Sequence, residues 1–203
     1  MSGEQTRKLI VLAAIWAVLL LAPYWMVPLG GYTALATRVL VLGLAAMSLN
    51  FLLGFTGVLS FGHAAYFGLG AYGAGLSLKF LAASTPLALL LGMLLGGVCG
   101  ALLGTLIVRR RGVYFAMVTI AFVQVFYYIA FQWSSLTGGD DGLRGCSRQP
   151  IDFGLFKIDI LSDEKNFYFF VLFCFALAVA AMGFVLRSVF GRTLIAIREN
   201  EDR

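Results

Sequence analysis

The sequence predicts an all-α, polytopic integral membrane protein with about six transmembrane helices and a cytoplasmic N-terminus. Three observations carry this expectation. Hydrophobic residues make up 61% of the 203 and charged residues 12%, with a mean hydropathy of +0.92, far more apolar surface than a soluble fold can cover. The charges gather in clusters separated by charge-free runs at 9–37, 39–78, 80–108, 112–139 and 166–186. The basic clusters also alternate with an acidic one in the way that sets membrane topology. A helical crossing needs about 20 apolar residues, and the 39–78 run is long enough to cross twice at about 1.5 Å per residue. The expected helices are therefore 9–28, 34–54, 60–80, 86–108, 113–131 and 166–186.

The first apolar run follows Arg7 and Lys8 and continues through Pro23, Tyr24, Trp25 and Val27 without a small-x-small cleavage site. It reads as a membrane helix rather than a cleaved leader, with Tyr24 and Trp25 at the outer interface. With this end inside, Arg7, Lys8, Arg109, Arg110, Arg111, Arg187, Arg192 and Arg198 are all cytoplasmic. The same orientation puts 132–165 outside. There Asp140, Asp141, Asp152, Asp159, Asp163 and Glu164 outnumber Arg144, Arg148, Lys157 and Lys165. Arg38 and Lys79 fall on the outer edge, where long side chains reach headgroups.

Between the second and third helices, GFTGVLSFGHAAYFGLGAYGAG (54–75) is dense in glycine. Each glycine weakens a continuous helix by roughly 1 kcal/mol, which predicts a break near Gly54–Gly57 with Ser60 as the N-cap of helix three. A broken helix at membrane depth is tolerated where it lines an enclosed or watery cavity, and so points to a translocation path; a tight cytoplasmic turn is the alternative. His63, the only histidine, reads as a hydrogen-bonded structural group at a helix start, since it lacks partners for a metal site. In helix four, Gly92, Gly96, Gly100 and Gly104 recur every fourth residue, forming a smooth ridge for close helix packing.

The polar groups inside the spans are few: Ser48, Asn50, Thr105, Thr119 and Gln124, with Tyr127 and Tyr128 toward the outer end. They read as interhelical hydrogen-bonding groups; any that face a path suit a neutral or zwitterionic solute better than an ion. Cys99 and Cys174 lie within spans and Cys146 is alone in the outer loop, so no intrachain disulfide across that loop is expected. All ten acidic residues lie outside the spans, where none can hold a proton inside the bilayer as proton-driven carriers require. No GxSxG, HExxH or GxxxxGK[ST] pattern occurs, so no catalytic residue, metal or cofactor is expected in this chain and any ATP belongs on a partner. At the C-terminal end, Phe190, Leu194 and Ile197 form an apolar stripe at i, i+4 and i+7. Gly191 is expected to precede that helix and allow a change of direction after Leu186, and Arg192 to pair with acidic groups on a partner. From the residues alone, the short helix either lies on the membrane surface or docks on a protein.

Three stretches together resemble the permease subunits of bacterial ABC importers for branched-chain amino acids, the LivM-type family. They are NFLLGFTGVLSFGHAAYFGLGAYGAG from Asn50, RRRGVYFAMVTIAFVQ from Arg109 and SVFGRTLIAIRENEDR from Ser188, joined by TGGDDGL from Thr137. The resemblance implies a single transmembrane permease domain over 1–203, incomplete because such permeases continue with further helices. It sits in the bacterial inner membrane, with 132–165 as a periplasmic loop and 188–203 as the start of the cytoplasmic coupling-helix region. The implied partners are ABC ATPase subunits, a second permease subunit as a heterodimer, a periplasmic substrate-binding protein and the lipid bilayer, with no nucleic acid. The coupling set is Phe190, Gly191, Arg192, Leu194, Ala196, Ile197, Arg198 and Glu199. The candidate path set is Asn50, Gly57, Ser60, Gly62, His63 and Gln124, and the binding-protein docking set is Thr137, Gly138, Gly139, Asp140 and Gly142. Permeases for urea or short amides look similar, and a gradient-driven secondary carrier is the alternative from another class.

Overall fold

The computed structural model describes residues 3–57, 60–107, 112–146, 151–152, 157–158 and 163–199. Arg109, Arg110, Arg111, Arg148 and Asp159 lie outside them, as do the side chains of Ile197 and Glu199. The chain is helical, in the order α1 (Gly3–Trp25), α2 (Thr33–Phe51) running into a π turn (Leu52–Thr56), α3 (His63–Phe80), α4 (Thr85–Ile107), α5 (Val113–Gln132) and α6 (Ser134–Thr137). A 3-10 turn (Gly139–Asp141) follows, then β1 (Ile151–Asp152), β2 (Lys157–Ile158), α7 (Glu164–Arg187) and α8 (Val189–Glu199). The two short strands form one antiparallel rung pair, Ile151 opposite Ile158 and Asp152 opposite Lys157.

Among the described residues, five helices are long and apolar enough to cross a membrane: Thr6–Trp25, Thr33–Thr56, Thr85–Ile107, Val113–Gln132 and Glu164–Arg187. The sixth expected span, α3, is present as an 18-residue helix, but its four glycines, His63 and Lys79 dilute its apolar content. Two boundaries differ from expectation. Helix one is 3–25 rather than 9–28: an exposed Glu4–Lys8 ion pair of 2.8 Å, one turn apart, extends its start. Its end precedes Val27 and Pro28, where the ring of a proline disfavours helical backbone in the residue before it. Helix three begins at His63, not near residue 60, and Gly62 stands at its N-cap without a side-chain cap bond. Ser60 is therefore not the cap. The backbone N–H of Phe61 is already committed to Thr119 Oγ1 at 3.3 Å, which holds this stretch on α5 instead of in a first helical turn.

The chain divides into two compact units, Met1–Ala46 with Ile160–Ser188, and Met47–Asp159 with Val189–Arg203. In the first, Ala22, Ala36, Leu40, Tyr168 and Leu172 form the core, flanked by Trp16 and Phe175 in edge contact at 6.2 Å. Pro23 lies inside α1 and supplies no backbone N–H, so the carbonyl four residues back, on Leu19, loses its helical donor. The hydroxyl of Tyr168, 0% exposed, donates to that carbonyl at 2.6 Å. This bond satisfies a backbone group that lipid cannot.

In the second unit the dominant packing is α3 on α4, and the expected glycine ridge is its seam. A Cβ at Gly92 would stand 2.5 Å from the Gly70 carbonyl oxygen, one at Gly96 3.4 Å from that of Tyr66, and one at Gly100 3.9 Å from the Tyr66 ring. Gly104 meets nothing within 4 Å, so three of the four ridge glycines serve this seam. Away from the seam, Leu94, Val98 and Leu102 of α4 are exposed, as lipid-facing side chains of a membrane helix are.

Candidate functional site

The expected break between helices two and three is built from a π turn and a left-handed glycine. Leu52–Thr56 widens the end of α2 into i→i+5 geometry, a distortion frequent at functional sites. Thr56 Oγ1 donates back to the Leu52 carbonyl at 2.5 Å. Gly57, with φ +72, then ends the helix while its N–H donates to the Leu53 carbonyl at 3.2 Å. Positive φ is the conformation in which glycine escapes the Cβ penalty.

Two polar contacts span the break. Ser48 Oγ on α2 lies 2.5 Å from Nε2 of His63, the first residue of α3. On the α5 side, Thr119 is 1% exposed, accepts from the Phe61 N–H and donates to the Ala116 carbonyl at 2.7 Å. Gly62 is flat against it: a Cβ there would stand 3.3 Å from Thr119 Cβ and 3.5 Å from Ser60 Oγ. The fold thus gathers Ser60, Gly62 and His63 from the expected path set and adds Ser48 and Thr119. It leaves Asn50 and Gln124 as exposed positions on α2 and α5. The cluster consists of hydroxyl, imidazole and backbone groups engaged with one another.

Next to the break sits α8, which packs against the π turn. Ser188, in extended conformation (φ −73, ψ 168), interrupts the chain between α7 and α8. Gly191 therefore lies inside α8 rather than before it, and the interruption falls at Ser188. Gly191 is buried and Leu194 and Ile195 are half-buried; with Arg198 they recur at i, i+3, i+4 and i+7, one face of a helix. The Arg198 guanidinium donates to the Gly54 carbonyl. Its Cγ lies 3.1 Å from where a Cβ on Gly57 would be. Phe190, 63% exposed, and the exposed Arg192 and Ala196 remain outside this face.

The TGGDDGL turn is a folded unit. Thr137 is buried, and its hydroxyl bridges the Ala130 and Trp133 carbonyls at 2.5 and 2.7 Å while accepting from the Gly139 N–H at 3.3 Å. Gly138, Gly139 and Gly142 all have positive φ, and a Cβ on Gly138 would overlap the Gly142 carbonyl. Asp140 is exposed, and Asp141 pairs with Arg144 at 2.7 Å. The turn is moored to α3, because Leu143 occupies the space that a Cβ on Gly75 would take and Cys146 Sγ lies 3.5 Å from the Gly75 carbonyl.

The family described as "Branched-chain amino acid transport system / permease component" matches residues 31–203. The chain belongs to this permease family. Two relatives are the high-affinity branched-chain amino acid transport system permease proteins LivM of Escherichia coli K12 and Salmonella typhimurium LT2. The first is 26% identical over 205 residues, covering 91% of this chain and 48% of its own length. The second is 25% identical over 218 residues, covering 98% and 51%. The chain thus spans about half the length of the relatives it matches. No solved structure matches it. The family is one of transport permease components, and the apolar helices make this member a multi-pass membrane protein.

Within this permease the family match takes in the break, the TGGDDGL turn and α8. Thr119 was visible in the sequence as an intramembrane polar residue. What ties it to the break is its hydrogen bond to Phe61, 58 residues away along the chain, a pairing that no local pattern carries.

Proposed function

We propose that this permease is part of the membrane path of an ABC importer for branched-chain amino acids in the bacterial inner membrane. A separate ATPase drives it, a second permease subunit completes it, and a periplasmic binding protein delivers the solute. The observation that carries the reading is the placement of α8 against the α2–α3 break. A short amphipathic helix is positioned where a cytoplasmic partner can act on the discontinuity in the path. The family and its two LivM relatives support the solute class. The intramembrane polar groups described above carry no acid that would hold a coupling proton, which favours ATP drive over a proton gradient. In this reading the N-terminus and α8 are cytoplasmic, 132–165 is periplasmic, and Asp140 and the rim of the TGGDDGL turn meet the binding protein.

Phe190 is the test residue for docking, since it is exposed while Leu194 is half-buried. Affinity-tagged permease, co-expressed with its ATPase and binding protein, should capture the ATPase and support ATP-dependent leucine uptake. Phe190→Asp should lose both while inserting normally. Uptake that competes with urea and not with isoleucine or valine would reassign the solute. Undiminished ATPase capture and uptake by Phe190→Asp would refute the docking face.

A further inference from the structure

We propose that Arg198 is a positioning residue that ties α8 to the α2–α3 break, so that displacement of α8 is transmitted to the path through a charged hydrogen bond. The proposal rests on the transport reading above and names the element that does the transmitting.

The need for the bond starts in the backbone. The last four carbonyls of a helix have no donors from the following turn, and Gly57, by turning left-handed, ends the helix just after Gly54. Gly57 N–H satisfies the Leu53 carbonyl; the Gly54 carbonyl receives the Arg198 guanidinium, 144 residues away in the chain. A cation is the favoured group there, because the helix C-terminus carries partial negative charge.

Steric fit makes the same contact specific. The stem of Arg198 lies across Gly57, with Cγ, Cδ and Cβ at 3.1, 3.7 and 3.9 Å from the position of a Cβ on that glycine. Any side chain at 57 would push the stem away, besides being strained at φ +72. Gly57 is thus constrained by the turn that ends α2 and by the arginine that covers it. The apolar side chains of Leu194 and Ile195, half-buried on the same face, are held by non-directional burial, which by itself allows α8 to slide. A planar guanidinium on a fixed carbonyl does not allow that without breaking. It therefore sets the register of α8 on the break.

The assembled transporter, with its ATPase and binding protein in proteoliposomes, tests this through the ratio of uptake to ATP hydrolysis. Arg198→Gln should lower the ratio of uptake to ATP hydrolysis by about tenfold, the low end for a lost charge-assisted bond because the pair is exposed. Arg198→Lys, which keeps the charge and a donor, should recover most of it. A structural defect alone would lower uptake and hydrolysis together. A second variant covers poor folding. The Gly57 Cβ position lies 3.9 Å from Arg198 Cβ, inside the disulfide range of about 3.5–4.5 Å. With Cys99, Cys146 and Cys174 changed to serine, Gly57→Cys/Arg198→Cys should be uncoupled when reduced and recover uptake on oxidation. An unchanged uptake-to-hydrolysis ratio in Arg198→Gln would overturn the tie, as would an oxidised double variant that is dead while its reduced form transports. An unmodified permease that captures no ATPase would instead overturn the transport reading beneath it.

Discussion

Replacing Gly92 by alanine puts a number on the α3–α4 seam. The added Cβ would stand 2.5 Å from the Gly70 carbonyl oxygen, 3.0 Å from Ala74 Cβ and 3.1 Å from Ala74 N. Two of these are backbone atoms that cannot swing aside, so the helices must part by roughly 1 Å to restore ordinary contact. Overpacking of this kind costs about 1–3 kcal/mol, against a helix-propensity gain of about 1 kcal/mol for removing a glycine. Gly97, on the same helix, has nothing within 4 Å of its Cβ position, so Gly97→Ala keeps the gain without the cost. The propensity gain is common to both variants and cancels between them, leaving Gly92→Ala less stable than Gly97→Ala by about 1–3 kcal/mol. At about 2–4 °C per kcal/mol for a chain of this size, intrinsic-fluorescence melting of the purified permease in mild detergent resolves the difference. Equal melting temperatures for the two variants would refute the seam as an interface, whatever either does relative to wild type.

Tyr168→Phe leaves the Leu19 carbonyl without a donor and should cost about 1–3 kcal/mol; adding Pro23→Ala, which restores the helical N–H, should return most of it. Additive losses in that double-mutant cycle would show that the hydroxyl does not substitute for the missing amide. Cys146 is exposed and should react with a membrane-impermeant maleimide from the periplasmic side of intact cells. Reaction only after access from the cytoplasmic side would invert the proposed orientation.

Much of this fold was legible because the bilayer makes the sequence speak in long apolar runs. α2, α4, α5 and α7 follow from where the charges stop, and the break followed from glycine density at 54–57. What was not legible is pairing across long separations. Ser60 looked like a cap since serine before a helix usually is one, but Thr119, buried on α5, takes the Phe61 N–H and delays the helix to His63. The stripe of Phe190, Leu194 and Ile197 follows helical spacing, yet burial follows the register of Gly191, Leu194 and Ile195, one residue out of phase with Phe190. Spacing identifies an amphipathic helix, but only the neighbour decides which part of its apolar surface is covered.

The glycines make the same argument from the other direction. A composition count treats all 24 alike, while the structure divides them by what the missing Cβ permits. Gly92 permits a backbone to approach another backbone, Gly75 makes room for Leu143, and Gly138 adopts a φ of +85 that most side chains oppose. Gly57 answers to two of these demands at once, left-handed backbone and a side chain laid across it. Helix propensity could therefore locate the break but not the arginine that closes it. The Arg198 contact depends on an open carbonyl and an absent Cβ three residues apart, and neither has any meaning in sequence until α8 is brought to the same place.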